Sequence, residues 1–171
     1  MWWLKAQLYV LLLSLVLGLL GCGYHFPGQS AAEMPAGISR LYLESVQDTS
    51  GEPGLQSRLR SLFTEEMARR IGADWTEREQ SQGLVMLNIE EYRVATSLED
   101  AAERTVKSEA RIKVSARILD KETKELLWES GTVTSTESFT GHAEGPAQSQ
   151  AEREALQRAV EDLVRRLGQK F

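Results

Sequence analysis

Apolar and polar positions alternate most regularly between residues 105 and 118. Val106, Ser108, Ala110, Ile112, Val114, Ala116 and Ile118 fall on one side, and Thr105, Lys107, Glu109, Arg111, Lys113, Ser115 and Arg117 on the other. A period of two kept over this length predicts a long antiparallel strand buried on one face only. Asp120 to Lys124 reads as a turn. Leu126 to Glu137 then returns as the hairpin partner, with Trp128 and Val133 as its core residues. Upstream, Leu84 to Thr96 is a third strand. Its parity breaks between Ile89 and Tyr92, and a β-bulge near Glu90 and Glu91 restores it. Ile38 to Val46 alternates over a shorter stretch and predicts a first strand.

Two segments carry the helical period instead. Leu55, Leu59, Leu62, Phe63, Met67 and Ile71 recur three and four apart, with charges between them and Gly72 as the stop. Ala155, Leu156, Ala159, Val160, Leu163, Val164 and Leu167 repeat the pattern, and Gly168 ends it. Residues 48–54 and 138–150, small, polar and rich in Gly and Pro, read as loops. The order is β-α-β-β-β-α. The expected fold is α+β, a two-layer sandwich in which two helices cover one face of a four-stranded, mostly antiparallel sheet. Residues 38–171 form this single domain.

The beginning of the chain follows a different pattern. Leu8 to Leu20 is apolar except for Ser14 and Gly18, and no charge falls between Lys5 and Glu33. Thirteen residues make about 20 Å of helix, short of a hydrocarbon core of about 30 Å. A basic start, a short apolar core and a small residue before the cut describe a signal peptide, residues 1–21. Leu19-Leu20-Gly21-Cys22 resembles the bacterial lipobox. That resemblance implies cleavage between Gly21 and Cys22 and lipid attachment at Cys22, the only cysteine in the chain. It also implies an outer-membrane destination, because residue 23 is Gly and not the Asp of inner-membrane retention. Residues 22–37, with Pro27, Gly28, Pro35 and Gly37, read as the lipidated tether.

Composition narrows function mainly by exclusion. The net charge of −5 argues against a nucleic-acid partner. A lone cysteine forms no internal disulfide. His142 and Glu144 could supply half of a metal site, but no further ligands stand at a recognisable spacing. No nucleophile-elbow, zincin or phosphate-loop motif occurs. The expectation is a non-enzyme without catalytic residues, metal or cofactor.

Gly21-Cys22-Gly23-Tyr24-His25-Phe26 resembles the start of the mature chain in the LptE family of lipopolysaccharide-assembly lipoproteins. The likeness extends through the element order, the Leu126-Leu127-Trp128 start of the last strand and the closing helix. It implies a plug and assembly partner of the outer-membrane barrel LptD, assisting lipopolysaccharide insertion at the cell surface. The implied partners are that barrel, lipopolysaccharide, and the membrane through acyl chains on Cys22. The domain would face the periplasm or the barrel lumen, and large barrels have polar interiors. Besides a periplasm-facing binding module of another kind, two other classes fit a small tethered domain, an activator of a peptidoglycan synthase and a small outer-membrane enzyme. The short tether disfavours the first, and the missing catalytic constellation the second.

One polar feature stands out. Lys107, Arg111, Lys113 and Arg117 share the polar face of the long strand, diluted among charges only by Glu109. Two readings apply: pairing with carboxylates such as Glu91 and Glu129, or contact with glycolipid phosphates or acidic groups of the barrel wall.

Overall fold

The computed structural model describes residues 3, 34, 37–99, 106–141 and 145–169. The chain divides into two compact units, residues 1–30 and 31–171, and the second carries the fold. Gly21, Cys22 and the Gly23-Tyr24-His25-Phe26 stretch lie outside the described residues, as do His142 and Glu144.

Among the described residues eight elements follow in order: β1 (Arg40–Asp48), α1 (Leu55–Ile71), β2 (Asp74–Trp75), β3 (Gly83–Glu99), β4 (Val106–Asp120), β5 (Leu126–Glu129), β6 (Val133–Thr140) and α2 (Pro146–Gly168). The sheet runs β2-β1-β3-β4-β5, and β6 also pairs with β4. β1 is parallel to both β2 and β3, with α1 making the crossover that a parallel pair needs. The pairs β3–β4, β4–β5 and β4–β6 are antiparallel.

The α+β class holds, and the strand count is corrected from four to six. The single strand expected over Leu126–Glu137 is two strands on the same flank of β4. Ser130, Gly131 and Thr132 separate them, and Gly131 has φ 64, a left-handed conformation that no strand continues through. The two-residue β2 was not expected. It is too short for any period to reveal, and its register comes from tertiary contact alone. The last helix starts at Pro146, inside the stretch read as a loop. Its first two turns are polar and give no apolar rhythm, while proline suits a first helical turn.

The core lies between the helices and one face of the sheet. Leu43, Val85, Ile118 and Trp128 form a continuous row across four strands, all buried. Ile89, Val114 and Val133 form another. Leu55, Leu59, Phe63 and Met67 from α1 and Leu156, Val160, Leu163 and Leu167 from α2 belong to the same cluster, as does Met34 upstream of β1. Each fully buried side chain of this size contributes about 1.5–3 kcal/mol. Gly83 is forced by packing, since a Cβ there would lie 2.7 Å from Ile38 Cδ1 and 2.9 Å from Leu41 Cδ2.

The expected bulge in β3 is present. Ile89 pairs with Val114 and Glu91 with Lys113, leaving Glu90 extra. It returns Tyr92 to the core side, where the ring packs against the cluster. There its hydroxyl accepts a hydrogen bond from Gln148 Nε2 of α2 at 3.3 Å. Burial pushes the Tyr92 phenol up to about 12.

Candidate functional site on the open face of the sheet

Among the described residues no helix packs on the other face of the sheet, although Leu84 on it is buried. Its side chains follow from the same register that builds the core. Tyr42, Leu84, Leu119 and Leu126 form the row nearest the start of β1. Ser45, Met86, Arg117 and Glu129 come next, then Gln47, Asn88 and Ser115. Past the end of β1 the rows are Glu91, Lys113 and Thr134, then Arg93, Arg111 and Thr136, then Ala95, Glu109 and Ser138. The face is therefore apolar at one end, where Leu126 is 54% exposed, and charged toward the far end of the β3–β4 hairpin.

Lys107, Arg111, Lys113 and Arg117 all lie on this face of β4, with Glu109 and Ser115 at the same-face positions between them. Their surroundings differ. Lys113 Nζ lies 2.8 Å from Glu91 Oε2, and Arg117 Nε lies 2.7 Å from Glu129 Oε1. These are the two carboxylates named as cross-strand partners from the sequence. The hydrogen bond from Lys113 holds the Glu91 carboxyl below its usual range, and the charges of Lys113, Arg111 and Arg93 add to the effect. Lys107 is exposed, opposite Leu98 and Thr140. Arg111 faces Arg93, its directly opposed residue on β3. Both are exposed, and among the described residues neither forms an ion pair.

Arg93 did not emerge from the sequence pattern. It lies in β3 among residues of mixed polarity, and only the register set by the Glu90 bulge brings it opposite Arg111. The sequence did contain the signal for that bulge, but not the hairpin alignment.

The remaining charged groups tie the layers together. Arg58 of α1 pairs with the buried Glu152 of α2, and Arg158 of α2 with the buried Glu137 of β6. Glu66, also buried, is held by Arg69 and Arg70 one turn on. At the β1 edge, Tyr42, Leu43, Arg60, Thr64, Trp75 and Thr76 line an open groove of about 690 Å³. The Trp75 Nε1 donates to Thr64 O at 3.0 Å, and its ring meets Phe63 in a T-shaped contact. Among the described residues no cluster of His, Cys, Asp and Glu could hold a metal ion. Nor is any described helix long and apolar enough to cross a membrane.

Fold and site together define a small α+β domain with helices on one side of the sheet and, on the other, a face charged toward the far end of the β3–β4 hairpin. The family model for LptE, lipopolysaccharide-assembly, matches residues 38–171, and the chain belongs to that family. No curated protein matches it. Among solved structures, protein XCC0632 from Xanthomonas campestris is similar, with a TM-score of 0.57 at 12% identity over 74% of this chain and 81% of that one. The hypothetical protein CT253 from Chlamydia trachomatis has a TM-score of 0.55 at 10% identity, covering 75% of this chain and 94% of that one. At these identities the likeness is one of fold.

Proposed function

We propose that this protein is a lipid-anchored component of lipopolysaccharide assembly at the outer membrane. In this reading it sits as a plug and assembly partner in the export barrel LptD and assists delivery of lipopolysaccharide to the cell surface. The observation that carries the reading is the charged sheet face, on which no described helix packs, in a chain of the LptE family. A surface of that polarity suits the polar interior of a large outer-membrane barrel. The chain acts by binding and needs no cofactor or catalytic group. Cys22 is the acylated residue, and several acyl chains hold such a domain at a membrane almost permanently. Lys107, Arg111, Lys113 and Arg117 lie on the face that meets barrel wall or glycolipid.

Two measurements test this. Purification of the full chain from detergent-solubilised membranes should bring down a large β-barrel. Recovery of a peptidoglycan synthase, or of no partner, would overturn the barrel assignment. Intact mass of the membrane-extracted protein should show loss of residues 1–21 and added acyl mass. A chain that retains Met1 and carries no lipid would remove the anchor.

A further inference from the structure

The sheet ends beside β1 in an edge that is only partly covered. β2 is the outermost strand on that side, and it pairs with β1 at Arg40 and Leu41 alone. Just past β2 the Thr76 N–H donates to Leu41 O at 3.0 Å. From Tyr42 to Asp48, about 20 Å of strand, no described strand stands against this edge of β1. Such an edge offers a row of backbone N–H and C=O groups to another chain.

The uncovered edge opens into the groove of about 690 Å³ between β1 and α1. The indole bond from Trp75 to Thr64 O fixes the end of β2 against α1 and marks one end of the groove. Arg60 stands about one turn earlier on α1 and so lies toward the other end. It is exposed and, among the described residues, forms no ion pair. The neighbouring arginines are committed, Arg58 to Glu152 and Arg78 to Glu44. Glu77, just past β2, is exposed and lines the groove at the Trp75 end.

We propose that this groove binds an extended peptide segment of a partner protein, which adds to β1 as an edge strand in the lane that β2 begins and places a carboxylate on Arg60. Strand addition takes its affinity from main-chain hydrogen bonds and its specificity from alternate side chains. The free edge of β1 supplies the first. For the second, guest side chains turned toward α1 meet Leu43 and Trp75 and are apolar. Charge sets the direction: the carboxylate goes to Arg60, whose fork suits it, and away from Glu77. A second copy of this chain is a poorer occupant. Leu43 pairs with Val85 and Ser45 with Met86, so Glu44 is an extra residue in β1, and Arg78 holds its carboxylate through bonds of 2.9 and 3.0 Å. A bulge and a charged pair on an edge oppose open-ended sheet pairing and leave a place for a short guest.

The test uses the full chain in detergent and short end-blocked peptides of alternating valine and threonine. One residue, moved through each position, is replaced in turn by glutamate, glutamine and lysine. A glutamate peptide should bind saturably and slow hydrogen exchange in residues 42–48. Arg60→Gln should weaken that binding by about tenfold, the loss expected for one charge-assisted contact, and abolish the preference for glutamate over glutamine. Its melting temperature should match the wild type, because the side chain is exposed and has no ion pair to lose. Methylating alternate backbone nitrogens of the peptide should abolish binding in one of the two alternations, since only one set of N–H groups faces β1. No saturable binding by any peptide of the set would overturn the proposal. So would equal binding of glutamate, glutamine and lysine peptides, protection outside β1, or binding that survives both methylations. The measurement needs no barrel, so its failure leaves the proposed function standing, and failure to recover a barrel leaves this site standing.

Discussion

The two faces of β4 are built from alternate residues of one strand, and they obey different rules. On the inner face Ser108, Ala110, Ile112, Val114, Ala116 and Ile118 are all buried. Any apolar residue of about the right volume satisfies that environment, because burial is non-directional. On the outer face Lys107, Arg111, Lys113 and Arg117 are held by what stands opposite each of them, and that depends on register. One row is attractive, Glu91 with Lys113. The adjacent row sets two like charges opposite each other, Arg93 and Arg111. The comparison teaches that inner-face positions carry stability, while the outer face can keep an unfavourable arrangement because little stability depends on it.

The largest expected effect lies on the inner side. Leu163 is fully buried between α2 and the sheet. Leu163→Ala should cost about 2–5 kcal/mol of unfolding free energy, as for other buried leucines. Chemical denaturation would measure it, and a change under 1 kcal/mol would make α2 peripheral. Gly83→Ala is the reverse experiment on the same face. It forces a methyl against Ile38 and Leu41, and should cost about 1–3 kcal/mol by overpacking. A neutral result would mean the start of β3 shifts freely.

This difference also explains what could be read in advance. The helix over Leu55–Ile71, its stop at Gly72, the long β4 and the bulge near Glu90 were legible because each leaves an apolar rhythm or an interruption of one. Gly72 adopts φ 73 and donates its N–H to Met67 O, as a terminating glycine does. The division of β5 from β6 was not legible, since Leu127, Trp128 and Val133 keep apolar character on both sides of the break. β2 carries no pattern at all. On the open face the sequence yielded the cations of β4 and two of their carboxylates. The opposition of Arg93 and Arg111 needed the three-dimensional register.

Tyr92 lies where the faces meet, on the core side just beyond the bulge. Its phenol is raised from 10 to about 12, chiefly by burial, so folding favours the neutral form. The stabilisation is complete below pH 10 and is lost as pH climbs through 12. Tyr92→Phe should remove that alkaline limb, leaving a flatter stability profile between pH 10 and 12 than the wild type. Superimposable profiles would mean the ring is solvated.

The smallest effect discriminates best between the two outer rows. Glu91 and Lys113 have side chains about one-third exposed, so solvent screens their pairing and a double-mutant cycle with Gln at each position should show only a weak coupling. Its sign is stabilising. Because Lys113 holds the Glu91 carboxyl below its ordinary value of 4.5, the coupling is present above that value and disappears as pH falls through the lower folded one. The same cycle on Arg93 and Arg111 should give a coupling of opposite sign that persists in acid, since neither guanidinium titrates there. Salt separates charge from packing: at about 1 M the Debye length shrinks to about 3 Å, and both couplings should approach zero. If the Arg93–Arg111 coupling were stabilising, or indifferent to salt, the two guanidinium groups would be stacked and not in conflict, and the contrast between the rows would fail.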